Sequence, residues 1–120
     1  MKTVLIVEDS RSNLLAGDRA LTKAGYTVYT AHDGIEALFI LSYAFSTIDV
    51  VVTDIMMPNL NGIELIKRMK KDERYKHIPI IALSATREEA RCKVAGATKF
   101  FMKPYKQQEL LDYIDNMLLS

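Results

Sequence analysis

The stretch VVTDIMMPNLNG, residues 51–62, decides how this chain is read. It opens as a buried strand, reaches a carboxylate at Asp54, and breaks into two methionines, a proline and a polar turn. A lone carboxylate at the end of an apolar strand is costly to bury unless it is paired or bound to a cation. The partners of Asp54 must therefore come from elsewhere in the chain.

On either side of this stretch, short β-type runs alternate with helical periods. TVLIV (Thr3–Val7), TVYTA (Thr27–Ala31), DVVVTD (residues 49–54), IIALS (Ile80–Ser84) and KFFM (Lys99–Met102) read as strands. Several are continuous apolar runs, as expected of a sheet covered on both faces. Leu14, Gly17, Leu21 and Ala24 recur three or four apart, with Ala20 beside them, after a candidate cap at Ser10 or Ser12. Gly25 ends that helix. Ala37, Leu38 and Leu41 form the inward stripe of a second helix, and Leu65, Ile66 and Met69 that of a third. The fourth, REEARCKVAGA, is weakly amphipathic. The last turns Leu110, Leu111, Ile114, Met117 and Leu118 inward. The run KRMKKDERYK reads as a solvated helix end and loop. This alternation predicts an α/β fold: a doubly wound, five-stranded parallel sheet with right-handed helical crossovers on both faces. Such sheets bind ligands beyond the carboxyl ends of their strands.

Composition narrows the function. The 120 residues are expected to form one domain, residues 1–120, and are 49% hydrophobic and 26% charged, enough for a closed core. A net charge of +1 argues against direct nucleic-acid binding through bulk positive charge, though not against a DNA-binding partner domain. Cys92 is the one cysteine, so no internal disulfide forms, which fits a cytoplasmic location. Its expected role is structural. The opening MKTVLIVEDS lacks the pattern of a signal peptide, and ALFILSYAF is far shorter than the roughly 20 residues of a membrane span, so no membrane insertion is expected.

The strand ends collect the polar groups. They carry Glu8 and Asp9 after the first strand, Asp54 after the third, Ser84-Ala85-Thr86 after the fourth and Lys103-Pro104 after the fifth. Three converging carboxylates repel one another unless one is protonated or a cation sits among them. An all-oxygen set suits Mg²⁺ or a similar hard ion. His32 and His77 stand alone without zinc-type spacing. A nearby lysine and hydroxyl turn metal binding toward phosphoryl chemistry, which needs a cation and hydrogen-bond donors around the moving group. Lys103 and Ser84 fill those roles, and Asp54 is the candidate acceptor.

Taken in order, Glu8-Asp9, DIMMPNLNG (residues 54–62), LSA (residues 83–85) and Lys103-Pro104 resemble the receiver domains of two-component response regulators, over essentially the whole chain. The resemblance implies the flavodoxin-like strand order 2-1-3-4-5. It implies that Asp54 accepts a phosphoryl group from a phosphohistidine on a sensor histidine kinase or histidine phosphotransfer protein. Mg²⁺, or Mn²⁺ in its place, would be held by Asp9, Asp54 and the backbone carbonyl of Met56, with Glu8 acting through water. Lys103, next to a cis bond to Pro104, would pair with the carboxylate and then with phosphoryl oxygens. Ser84 would move to hydrogen-bond the phosphoryl group, leaving room for Phe100, at the aromatic switch position, to turn inward. Pro58 and Gly62 would shape the loop. The fourth helix, fifth strand and fifth helix would form the output surface, acting on a downstream protein or an attached effector domain.

Ser84 stands where threonine is frequent, Leu60-Asn61 where Met-Asp is usual, and Phe100 where tyrosine is frequent. Neither Met56 nor Thr86 looks like a base, so self-dephosphorylation is expected to be slow and the protein is not expected to be an enzyme in the ordinary sense. A flavin-binding domain of similar architecture would need a hydroxyl- and glycine-rich loop where Glu8-Asp9 stands. An aspartyl-phosphate hydrolase would need a second aspartate where Met56 stands. One segment is surplus to the core: Phe39, Ile40, Tyr43 and Phe45 either fold back locally or form an apolar patch for a partner or a second copy, as in a homodimer.

Overall fold

The structure, a computed structural model, describes residues 2–119. Its elements run β1 (Thr3–Val7), α1 (Arg11–Lys23), β2 (Thr27–Ala31), α2 (Gly34–Ala44), β3 (Val50–Asp54), α3 (Gly62–Lys71), β4 (Ile80–Ser84), α4 (Glu89–Ala95), β5 (Lys99–Met102) and α5 (Gln107–Leu119). The five strands form one parallel sheet in the order β2-β1-β3-β4-β5. The order reverses between β1 and β3, which leaves a crevice at their carboxyl ends.

Alternation along the strands divides the core in two. Leu5, Val7, Val51, Ile80 and Ala82 face a cluster with Ala37, Leu41, Ile66, Met69 and Cys92 of α2, α3 and α4. Val4, Ile6, Val52, Ile81 and Leu83 face Leu14, Leu21, Leu110 and Ile114 of α1 and α5. Each large aliphatic side chain so buried contributes about 1.5–3 kcal/mol. The central strands β1, β3 and β4 are buried along their whole length, while Thr27 in edge strand β2 is exposed.

Local signals set the helix ends. The side chains of Ser10, Asp33 and Asn61 accept the backbone N–H of Asn13 (3.4 Å), Glu36 (2.8 Å) and Glu64 (2.9 Å), capping α1, α2 and α3. Gly25, with φ of 100°, carries the chain out of α1 in the left-handed region that favours glycine.

Several expectations are corrected. β3 starts at Val50 because the Asp49 carboxylate turns to accept the Thr3 N–H at 2.8 Å. Ala24 is exposed because α1 stops at Lys23. In α2, Ile40 is core and Leu38 only half-buried, since the helix centres its inward face on Ala37, Leu41 and Ala44. Phe45 folds back on Tyr75, with ring centroids 5.9 Å apart. Phe39 and Tyr43 stay outside, 68% and 63% exposed, in an edge-to-face pair. The surplus segment thus divides, with half joining the core and half facing solvent. The charge run that ends α3 and continues into the next loop is not wholly solvated either. Tyr75 is buried, and Lys70 Nζ donates to the carbonyls of Lys76 (3.0 Å) and Ile78 (3.1 Å). In α5, Leu110 and Ile114 are buried, while Leu111, Met117 and Leu118 are only half-buried against the core. Among the described residues no helix is long and apolar enough to cross a membrane.

Candidate functional site

Parallel pairing brings four loops to one edge of the sheet. The Glu8 N–H donates to the Ala31 carbonyl at 3.0 Å and so continues the β1 ladder. Asp54 lies opposite Leu83, and the Ile55 N–H donates to the Leu83 carbonyl at 3.0 Å. The Lys103 N–H donates to the Ser84 carbonyl at 2.8 Å, which holds the end of β5 against β4. The Lys103–Pro104 bond is cis.

The loop after Asp54 returns to its own strand at Gly62, whose N–H donates to the Ile55 carbonyl at 2.9 Å. A Cβ on Gly62 would sit 2.8 Å from Ile55 Cα and closer still to the Asp54 carbonyl oxygen, so the return requires glycine. Asn59, at φ of 65°, donates through Nδ2 to Asp33 Oδ2 at 2.7 Å, and the Gly34 N–H donates to the Leu60 carbonyl at 3.1 Å. The loop is therefore also tied to the start of α2. Sequence reasoning missed that tie. Its one visible signal was an asparagine in the loop, a residue that tolerates the left-handed region.

Glu8 and Asp54 are buried and Asp9 is exposed, yet one carboxylate oxygen of each lies within 4.8 Å of the others. Lys103 Nζ reaches Asp54 Oδ1 at 3.0 Å and Glu8 Oε1 at 3.1 Å. Burial pushes the Glu8 carboxyl up from its ordinary pKa, the Ser10 N–H pulls it down, and the neighbouring Asp54 charge raises it again. Burial alone would lower the Lys103 pKa, but the Asp54 and Glu8 carboxylates more than offset this and hold the ammonium above its usual value. One ammonium cannot neutralise three carboxylates. That donor set, all oxygen and net negative, fits Mg²⁺.

The other expected residues are placed less simply. Ser84 is at the same edge and fully buried, but its Oγ lies 3.0 Å from Thr86 Oγ1 and accepts the Thr86 N–H at 3.1 Å. Phe100 is only 9% exposed and packs in the core, so its ring points inward in this structure rather than outward. The Met56 side chain is 67% exposed and takes no part in the cluster. Pro58 is exposed in the loop.

Residues 4–115 match the response regulator receiver domain family. The chain belongs to that family. Among its relatives, the probable transcriptional regulator ycf29 of Pyropia yezoensis is 35% identical over 88% of this chain. The chain spans 51%, 12% and 45% of the lengths of three curated relatives, which are longer proteins. Among solved structures, the chemotaxis response regulator CheY4 of Vibrio cholerae superposes with a TM-score of 0.89 at 36% identity, covering 98% of this chain and 99% of that one. The receiver domain of the sensor histidine kinase PA1611 of Pseudomonas aeruginosa, described with a magnesium ion coordinated in its active site cleft, gives 0.89 at 28% identity, with 99% and 98% covered. A receiver domain is the phosphoacceptor module of two-component signalling, and here the acidic cluster occupies the carboxyl edge of its sheet.

Proposed function

We propose that this receiver domain, residues 1–120 as one cytoplasmic unit, is a Mg²⁺-dependent switch that carries a phosphoryl group on Asp54. The observation behind this reading is the Lys103 ammonium bridging Asp54 and Glu8 inside the acidic cluster. An Asp54 carboxylate oxygen attacks the phosphorus of a phosphohistidine on a sensor histidine kinase or histidine phosphotransfer protein. The O–P bond forms as the P–N bond breaks, and its electron pair returns to the imidazole. A divalent ion held by Asp9, Asp54 and the Met56 carbonyl, with Glu8 through water, would neutralise charge on the phosphoryl oxygens; Mn²⁺ would substitute for Mg²⁺. Lys103 transfers one of its bonds from carboxylate to phosphoryl oxygen, and Ser84 supplies a hydrogen-bond donor.

The chain catalyses only its own phosphorylation and a slow dephosphorylation, since no base stands at Met56 or Thr86. The added charge biases the α4-β5-α5 surface, which regulates a downstream protein or an attached effector domain. The domain itself binds no nucleic acid. Phe39 and Tyr43 offer a surface on which two copies could meet. The flavin and hydrolase readings are less well supported, because Glu8 and Asp9 would repel a flavin phosphate and Met56 replaces the second aspartate.

The test is exposure to a small acyl phosphodonor with Mg²⁺, read by intact mass. One phosphoryl group on the wild type and none on Asp54→Ala is expected. No label on the wild type, or equal label on both, would overturn the proposal. A labelled state that decays within seconds would remove the slow-dephosphorylation part alone.

A further inference from the structure

Ser84 has one hydroxyl proton and almost no contact with solvent, being 1% exposed. Among the described residues, the one acceptor within hydrogen-bond distance of it is Thr86 Oγ1, at 3.0 Å. The Thr86 N–H occupies the Ser84 oxygen at 3.1 Å. Thr86 is exposed, so water can satisfy its own hydroxyl; Ser84 has no such recourse. A buried hydroxyl keeps its proton on a partner, so the Ser84 O–H is donated to Thr86 Oγ1. The same Thr86 leads into α4, because the Glu88 N–H donates to the Thr86 carbonyl at 2.9 Å and Glu88 is the α4 N-cap residue.

We propose that Thr86 is a positioning residue that latches the Ser84 hydroxyl in the unphosphorylated protein, so that Ser84 reaches a phosphoryl group only by giving up its Thr86 partner. The latch rests on the reading of Asp54 as the phosphoacceptor. It sets a threshold: part of the stabilisation that Ser84 offers to a phosphoryl group is spent in breaking an existing bond. It also supplies a route outward, since the residue released is the one hydrogen-bonded to the start of α4. Ser84 changes partner by rotation about its χ1 bond between staggered rotamers.

The full chain is titrated with beryllofluoride and Mg²⁺, a tetrahedral stand-in for the phosphoryl group, and followed through backbone amide resonances. Thr86→Ala removes the acceptor oxygen and keeps the N–H, and Thr86→Ser keeps both. Half-saturation is expected at about fivefold lower beryllofluoride for Thr86→Ala, the weight of one neutral hydrogen bond, and at the wild-type value for Thr86→Ser. In the unliganded protein the Ser84 Cβ resonance is expected to move in Thr86→Ala and stay in Thr86→Ser. Unchanged or weaker binding by Thr86→Ala, or identical behaviour of the two variants, would overturn the latch while leaving the phosphoacceptor reading intact. A wild type that neither binds beryllofluoride nor takes label on Asp54 would overturn both.

Discussion

α3 and α4 each begin one loop beyond the carboxyl edge of the sheet, but α3 is locked to its strand and α4 is not. α3 buries Gly62, Ile63, Leu65, Ile66 and Met69, is capped by Asn61, and hydrogen-bonds through Gly62 to Ile55, one residue past Asp54. α4 has seven residues, of which only Cys92 is buried. Its N-cap residue Glu88 makes no side-chain cap bond and pairs instead with Arg91 at 2.9 Å. Val94 on its outer side is 88% exposed. Elements with few buried contacts open at low free-energy cost, so α4 is the easier of the two helices to move.

The comparison breaks first at Gly62. Gly62→Ala is expected to cost about 1–3 kcal/mol, measured by urea denaturation, because the new Cβ meets the backbone of Asp54 and Ile55 at the end of β3. A loss of a few tenths would mean that α3 is not locked there. A second contrast sets the two helix starts against each other. Asn61→Ala is expected to cost about 1 kcal/mol as a lost cap, whereas Glu88→Ala, which loses no cap bond but only a half-exposed ion pair with Arg91, is expected to cost about 0.5 kcal/mol. Equal losses would remove the distinction.

Cys92 sharpens the comparison as a reporter. Burial pushes its thiol up to about 11, so little thiolate exists near neutrality and labelling requires α4 to open. A phosphodonor with Mg²⁺ should accelerate thiol labelling several-fold in the wild type and leave Asp54→Ala unchanged. Unaltered labelling of a phosphorylated wild type would assign the motion elsewhere.

The smallest expected effect separates the caps of α2 and α3. The Glu36 N–H first, and then Asn59, hold the Asp33 carboxyl below its ordinary pKa. A depressed folded-state pKa stabilises α2 above the unfolded value, and that contribution is lost as pH falls through the folded value. Asn61 does not titrate in that range. Amide exchange should therefore show α2 losing protection in acid, below the ordinary aspartate pKa, before α3 does; parallel loss would show that the Asp33 cap does not govern α2.

The strands were legible because they are short apolar runs between turn residues. Four of the five have the expected bounds, and β3 differs only at Asp49, whose side chain found a backbone partner in β1. The convergence of Glu8, Asp9, Asp54 and Lys103 was legible because parallel strands deliver all their carboxyl ends to one edge. The α2 segment was legible only in part. Periodicity marks a helix face, but whether Ile40 or Leu38 lies inside depends on how the helix is rotated over the sheet. Lys70 read as a solvated charge, yet its stem lies against Gly96 and its ammonium is held by two carbonyls of the following turn. Those acceptors have no signature in residue type.

By itself the sequence determined the alternating architecture, its two-sided core and the identity of the acidic and basic groups at the strand ends, since these follow from spacing and side-chain chemistry. The tertiary structure alone decided which partner each polar group holds: Lys103 on two carboxylates, Ser84 on Thr86, and the Phe100 ring already within the core. Hydrogen bonds and ring packing act over a few ångströms, and distances of that size are set only once every strand and helix has taken its place.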